Sequence, residues 1–334
     1  MKISASIYAN QLKPLQQIVE ELDALHIDML HVDCVDDMRV FDDIRSIRQY
    51  SSTPIDLHII SATPEKYLPL IEELKIEYVS LQFEQLSAKP ELPHLYGTKW
   101  GLCVQADTSI SDYESWVSDF SFLLFMSTSP GISGGVFQKE NFSAVNQLLG
   151  NFPKMQIHVD GGVTNEIAFV LRLMGVRAVV SGSYLMNQPS LGVGLMSLYK
   201  SGNTNSDLPL VDFCFPAKFL PVLKESECTF STILQTIEVH RKGFVLITNQ
   251  QSELTGVVTN ADIRRALLGA KNNLREVTVD TLINRQPTTL QQSATLSQMI
   301  QLINELNFII LFLPVVDTNN KLVGAILLNH LTRV

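Results

Sequence analysis

Leu30-His31-Val32-Asp33-Cys34 is the stretch whose reading decides the fold. Apolar and polar residues alternate in it, so it reads as a short buried strand. Side chains two apart on a strand point the same way, which sets His31 and Asp33 toward one space and Leu30 and Val32 toward the other. Ile55-Asp56-Leu57-His58-Ile59 has the same texture and brings a second histidine. Ile157-His158-Val159-Asp160-Gly161-Gly162 ends in an acid followed by two glycines. The first two thirds of the chain read as a device that brings His31, Asp33, His58 and Asp160 to one point.

Working outward, strand-like apolar runs occupy residues 3–7, 29–34, 55–59, 78–83, 99–104, 122–126, 155–160 and 178–181. Helical patterns such as 12–25, 64–74 and 141–149 lie between them. Strands that alternate with helices imply a parallel sheet. Eight of them within about 200 residues favour a closed (β/α)8 TIM barrel. The alternative is an open doubly wound sheet, but no Gly-x-Gly-x-x-Gly follows the first strand. Ser6, Asp33, His58 and Asp160 end the first, second, third and seventh strands, and that face of a barrel is where active sites are built.

The 334 residues carry 46% hydrophobic side chains, enough for two or three domains with a large core and no sign of disorder. A formal net charge of -9 argues against a nucleic-acid surface, which normally needs a basic stripe. An anionic substrate must then be held by helix N-termini, glycine amides or a metal. Cys34, Cys103, Cys214 and Cys228 follow no CxxC or zinc-finger spacing and read as small buried hydrophobes in a reducing cytosol. Residues 1–12 hold no apolar signal core. The most apolar run, 308–316, contains Pro314 and is about half a membrane span. The expectation is a soluble cytoplasmic protein with no membrane partner.

Residues 201–212 are small and polar and read as a linker. Beyond them lies a repeat, with copies at 213–272 and 273–334. Phe244-Val245-Leu246-Ile247-Thr248, a polar turn and Leu254-Thr255-Gly256-Val257-Val258-Thr259 match Leu313-Pro314-Val315-Val316-Asp317, a polar turn and Leu322-Val323-Gly324-Ala325-Ile326-Leu327. An amphipathic helix precedes each copy, at 229–240 and 295–306. Two copies of one unit suggest a smaller α+β module that buries its strands against its twin.

Two imidazoles and two carboxylates without sulfur suit one divalent metal: zinc, iron(II), manganese or cobalt. Structural zinc sites are usually cysteine-rich and closed, which this set is not. An Asp can bind metal and still exchange a proton, while the metal stabilises a developing enediolate oxygen. Two acids flanking one carbon let one remove a proton and the other return it to the opposite face, which is epimerisation beside a carbonyl. Glycine loops supply the other half of a site. Ser127-Thr128-Ser129-Pro130-Gly131-Ile132-Ser133-Gly134-Gly135 follows the sixth strand, Gly161-Gly162 the seventh and Gly182-Ser183 the eighth. Amides freed by glycine near helix N-termini cradle a phosphate, and barrels often bind one after strands seven and eight.

Residues 1 to about 200 resemble the ribulose-phosphate 3-epimerase family. The matching pieces are Ala5-Ser6-Ile7, His31-Val32-Asp33-x-x-Asp36, Asp56-Leu57-His58, Met126-Ser127-x-x-Pro130-Gly131-x-x-Gly134-Gly135-x-Phe137, Val159-Asp160-Gly161-Gly162-Val163 and Gly182-Ser183. The resemblance implies metal ligands at His31, Asp33, His58 and Asp160, and proton-transferring acids at Asp33 and Asp160. It implies phosphate amides at Gly134, Gly135, Gly162, Gly182 and Ser183. With Ser6, His58, Gly131 and Gly161 these make the expected substrate contacts. Val35 and Ile60 stand where the family usually has Met, Asp37 where it has Gly, Gln82 where it has His, and Ser129 where it has Asn. The Asp-x-Lys-x-x-Asp pattern of related decarboxylase and hexulose-phosphate synthase barrels is absent from Asp56-Leu57-His58.

Residues 213–334 resemble a CBS-domain pair, most specifically at Gly256-Val257-Val258-Thr259-Asn260-Ala261-Asp262-Ile263-Arg264-Arg265-Ala266-Leu267. The resemblance implies that Thr259 and Asp262 hold the ribose of an adenine nucleotide. The second copy has His330 in place of that Asp. Asp262 to Leu268 with Asn284-Arg285-Gln286-Pro287 also resembles CBS pairs fused to sugar nucleotidyltransferases of surface-glycan pathways. The expected protein is a homo-oligomeric, metal-dependent C3 epimerase of ribulose 5-phosphate and xylulose 5-phosphate, or of a related pentulose or hexulose phosphate. It carries a nucleotide-sensing or dimerising module. The alternatives are a sugar-phosphate sensor that no longer turns substrate over, or an epimerase of a surface-glycan sugar.

Overall fold

β1 (Lys2–Ser6), β2 (Met29–Val35), β3 (Ile55–Ile60), β4 (Tyr78–Gln82), β5 (Lys99–Gln105), β6 (Phe122–Met126), β7 (Gln156–Asp160) and β8 (Ala178–Ser181) pair in parallel in chain order. β8 returns to β1 and closes the barrel. This computed structural model describes residues 1–9, 13–132, 134–200, 206–270 and 277–332. The chain divides into two compact units, Met1–Asn203 and Thr204–Thr332.

The alternation read in the sequence sorts the barrel's residues by face. Leu30, Val32, Leu57, Val79, Leu102, Leu123, Val159 and Val179 are all 0% exposed, as in a parallel sheet covered by helices. Each such side chain contributes about 1.5–3 kcal/mol by leaving water. The opposite set fills the interior. Met29, Tyr78, Cys103, Phe122, Leu124, Met126, Ala178 and Val180 form one apolar cluster. Beside them lie buried polar groups: Ser4, His31, Asp56, His58, Ser80, Gln82 and His158. Register then makes neighbours of the metal-capable groups. Asp33 is paired with His58 and His31 with Asp56, while Met126 is paired with Asp160.

The expected helix at 12–25 is Leu15–Ala24, with Pro14 at its N-cap; Leu12 lies outside the described residues. Helix Arg39–Ile47 buries Val40, Phe41, Ile44 and Ile47, one stripe at helical spacing. Helix Asn165–Met174, after β7, is capped by the Thr164 side chain and stopped by left-handed Gly175.

The second unit contains β9 (Phe215–Pro216), β10 (Val222–Lys224), β11 (Phe244–Thr248), β12 (Leu254–Thr259), β13 (Leu290–Gln291), β14 (Phe312–Val316) and β15 (Leu322–Leu327). They form two sheets, β10-β11-β12 and β13-β14-β15-β9. The two strand pairs share one irregularity, a register break at Ile247/Thr248 and at Val315/Val316, which makes Phe244 the equivalent of Phe312, one residue earlier than the sequence match placed it. Helices Phe230–His240 and Leu296–Glu305 start on capping boxes at Thr229 and Thr295. The copies meet through Phe244 stacked on Phe312 at 3.7 Å, and through Leu254 N–H donating to the Asn320 carbonyl at 2.8 Å.

Part of the stretch read as linker belongs to this unit. Ser206 and Leu210 are buried, and Leu210 N–H donates to the Ala294 carbonyl at 2.8 Å. Leu210 is apolar and finds cover against the second copy, which the composition of the stretch concealed. Residues 201–205 lie outside the described residues, as does the expected boundary at 272–273. The copies also exchange their leading segments. β9, at the start of the first copy, pairs with β15 of the second, and Asn284, in the leading part of the second copy, bridges to Val257 of the first. Each segment covers an edge that would otherwise stand open. No helix among the described residues is long and apolar enough to cross a membrane.

Candidate active site

The C-terminal strand ends open into a cavity of about 680 Å³ lined by Ser6, Asp33, Asp160, Gly131, Gly134, Gly135, Gly161, Gly162, Gly182 and Ser183. His31 and His58 are fully buried beneath it. His31 Nε2 is 3.3 Å from Asp33 Oδ1 and 3.5 Å from Asp160 Oδ2. His58 Nδ1 is 3.0 Å from the same Asp33 oxygen. His31, Asp33 and His58 each offer a ligand atom within 4.8 Å of the others, and Asp160 joins them through His31.

Each imidazole is held from behind. His31 Nδ1 is 2.9 Å from Asp56 Oδ2, which also accepts from Ser4 Oγ at 2.8 Å. His58 Nε2 is 2.7 Å from Gln82 Oε1. An ionised carboxylate and an amide oxygen only accept, so these ring nitrogens donate, and His31 Nε2 and His58 Nδ1 are left facing the rim acids. The inward groups are two ring nitrogens and two carboxylates, which come together only with a cation among them, protons on the rings or a metal in their place. Two imidazoles and two carboxylates fit a divalent metal. Partners behind the ligands are the usual means of orienting metal-bound histidines. Asp56 and Gln82 were not read as partners from the sequence. The signal was there in their parity, which turns both side chains into the barrel beside the histidines.

Electrostatics agree with a cation-seeking site. Burial alone would lower the His31 imidazole, but the Asp56 and Asp33 charges raise it well above its ordinary value. Burial pushes Asp33 up, yet His31 and His58 outweigh it and hold Asp33 far below the usual carboxylate range. Asp160 goes the other way: burial and the charge of Asp33 raise it despite His31. The two rim acids are pushed apart, the pattern that separates a base from an acid.

The glycine loops crowd one another at the cavity wall. A Cβ on Gly161 would lie 2.3 Å from Thr128 Oγ1, and one on Gly162 only 2.2 Å from the Phe137 nitrogen. Both have positive φ, 108° and 59°, which side chains rarely adopt. Ser127 Oγ donates to the Asp160 and Gly161 carbonyls at 2.8 and 2.6 Å and ties the sixth-strand loop to the seventh. Ser133 of that loop lies outside the described residues.

The ribulose-phosphate 3 epimerase family model matches residues 2–186. The chain belongs to that family. Among its relatives, the ribulose-phosphate 3-epimerase of Aquifex aeolicus (strain VF5) is 31% identical over 170 residues, which cover 47% of this chain and 76% of the relative. That of Helicobacter pylori (strain ATCC 700392 / 26695) is 26% identical over 198 residues, covering 55% and 90%. A CBS domain model matches residues 279–334. A crystal structure of CBSX2 in complex with AMP is similar to 38% of this chain and 94% of its own, at 24% identity and a TM-score of 0.33. In this member of the epimerase family, a Cβ on Gly131 would lie 3.0 Å from Val35 Cγ2 and 3.6 Å from Ile60 Cδ1. The two departures from the family pattern thus stand side by side against the loop after β6.

In the CBS pair, Thr259 and Asp262 form the capping box of helix Asn260–Gly269. Thr259 N–H donates to Asp262 Oδ2 at 2.8 Å, and Asp262 N–H donates to Thr259 Oγ1 at 3.2 Å. Arg265 pairs with the other Asp262 oxygen. Both carboxylate oxygens already have partners on their own helix.

Proposed function

We propose that the barrel inverts C3 of a ketose phosphate, ribulose 5-phosphate and xylulose 5-phosphate or a close relative, by proton transfer through Asp33 and Asp160. The observation that carries this reading is the pair of carboxylates flanking His31 Nε2 at 3.3 and 3.5 Å, in one cavity with three glycine loops. Bound by His31, Asp33, His58 and Asp160, a divalent metal would neutralise charge developing on the carbonyl oxygen beside C3. Asp33, whose carboxyl is held low, accepts the C3 proton on one face of the sugar, and Asp160, whose carboxyl is raised, returns a proton to the other face. In the reverse direction the roles exchange. Amides of Gly134, Gly135, Gly162, Gly182 and Ser183 hold the phosphate, with Ser6 and Gly131 closing the sugar end. The four cysteines are free, which supports a reducing cytosol.

The test is ribulose 5-phosphate in deuterated water with metal-loaded protein. Deuterium entering C3 of both epimers is expected. Tight binding of the sugar phosphate without any exchange makes the barrel a sensor and overturns the catalytic reading.

For the CBS pair we propose an adenine nucleotide whose ribose meets Thr259 and Asp262. The support is a hydroxyl and a carboxylate at one helix start, with Arg265 near for a phosphate. A nucleotide would have to take Asp262 oxygens from Arg265 or share them. Calorimetry with AMP, ADP, ATP and S-adenosylmethionine should give heat with at least one, weakened in Asp262→Ala. Silence with all four would leave Asp262 as a helix cap.

A further inference from the structure

We propose that Glu84 is a positioning residue that selects the tautomer of His58 through Gln82; the inference rests on the metal reading of the rim given above. Gln82 is buried, and its amide has two chemically opposite ends. One end faces His58 Nε2 at 2.7 Å. The other, Nε2, donates to Glu84 Oε2. A carboxylate accepts only, so Glu84 dictates which end of the amide faces it and hence which end faces His58. With the amide oxygen toward the ring, His58 Nε2 must carry the hydrogen, and Nδ1, 3.0 Å from Asp33 Oδ1, is the ring nitrogen left to face a metal. Turned round, the amide would offer N–H to Nε2, move the ring proton to Nδ1 and close the ligand position.

Glu84 is itself held in place. Its Oε1 accepts from Gln105 N–H at 2.9 Å and from Thr108 Oγ1. Burial raises its carboxyl, but these donors and Gln82 outweigh it and keep the group below the ordinary glutamate range. The backbone donor at Gln105 is what makes the device directional, because an N–H cannot become an acceptor. His31 has a carboxylate, Asp56, directly behind it. His58 has a neutral amide there, so it needs a charge one step further out to fix the same polarity.

The chain of donors makes a sharp substitution test. In Glu84→Gln, the new amide must keep its oxygen on Gln105 N–H, so it presents N–H to Gln82. Gln82 then turns, and His58 Nε2 loses its hydrogen to Nδ1. The double variant Gln82→Glu with Glu84→Gln restores the order, since a carboxylate at 82 accepts from both His58 and the new amide. Selective ¹⁵N-histidine labelling of the full chain at pH 8 reads the ring nitrogens, with His58 assigned by its loss in His58→Asn. Titration with Mn(II) alone reads the site.

Wild type should show a protonated Nε2. Glu84→Gln should show a protonated Nδ1 and a bare Nε2, with Mn(II) affinity lower by about 10- to 100-fold. The double variant should return Nε2 to its protonated state and recover most of the affinity. An Nε2 that stays protonated in Glu84→Gln, or a double variant that restores neither signal, overturns the proposal. If wild type takes up no Mn(II), the metal reading fails, and the ring-nitrogen signals still decide for or against Glu84.

Discussion

Asp160 Oδ2 lies 3.5 Å from His31 Nε2, and asparagine at that position would keep the volume while losing the ability to take up a proton. Asp160→Asn should lower epimerisation at C3 by about 10²- to 10⁴-fold, the usual worth of a positioned acid or base. Its thermal unfolding should stay near that of wild type. Substantial turnover in a preparation free of contaminating epimerase would remove the two-acid mechanism. Asp56 makes a separate claim. It is buried, its Oδ2 takes bonds from His31 and Ser4, and its Oδ1 has no hydrogen-bond partner among the described residues. Asp56→Asn takes away the charge that holds the His31 proton on Nδ1. Metal affinity should fall by about 10- to 100-fold, as for other partners behind ligands. Unchanged uptake in a metal titration would make Asp56 a packing residue.

At the scale of elements, two glycines at matching places in the CBS repeat explain how the copies exchange segments. A Cβ on Gly324, in β15, would meet the Phe215 carbonyl oxygen at 2.4 Å; one on Gly256, in β12, would meet Ile283 Cγ2 at 2.3 Å. Each strand therefore bares its backbone where the other copy's leading segment lies down. Gly324→Ala presses on backbone, which yields less readily than a side-chain tip. It should destabilise the second unit by about 1–3 kcal/mol. It should also speed amide exchange along β9 and β15, with the barrel amides unaffected. Wild-type protection of those strands would show that β9 is not held by this contact.

For the molecule as a whole, the polar filling of the barrel makes stability depend on pH. His158 is fully buried and stacked on Phe122 at 4.4 Å between ring centroids. Burial lowers its imidazole to about 4. Below the ordinary histidine value the unfolded chain binds a proton that the folded chain refuses, so this residue's stabilisation is lost as pH falls from 6.5 toward 4. The loss from this one group is about 2 kcal/mol between pH 7 and pH 5. His158→Leu removes the term, so the gap in unfolding free energy between wild type and variant should shift against wild type by that amount. Both tryptophans, Trp100 and Trp116, lie in the barrel unit, so their fluorescence in urea reads it directly. A gap that does not change with pH would mean that His158 protonates freely in the folded state.

The sequence by itself determined the parity of every barrel strand, because a side chain two positions along a strand returns to the same face. That is why His31 and Asp33 pair in the sequence alone, and why eight runs with intervening helices favour a closed barrel over an open sheet. The repeat and its two capped helices were legible for the same reason: their signals are local in the chain. Tertiary structure alone decided what stands behind each histidine. Asp56 lies 25 residues from His31 and Gln82 lies 24 from His58, so only the register of neighbouring strands makes them partners. It also decided that Leu210 and β9 pack with the second CBS copy, since an edge seeking cover leaves no mark on the sequence of the segment that covers it.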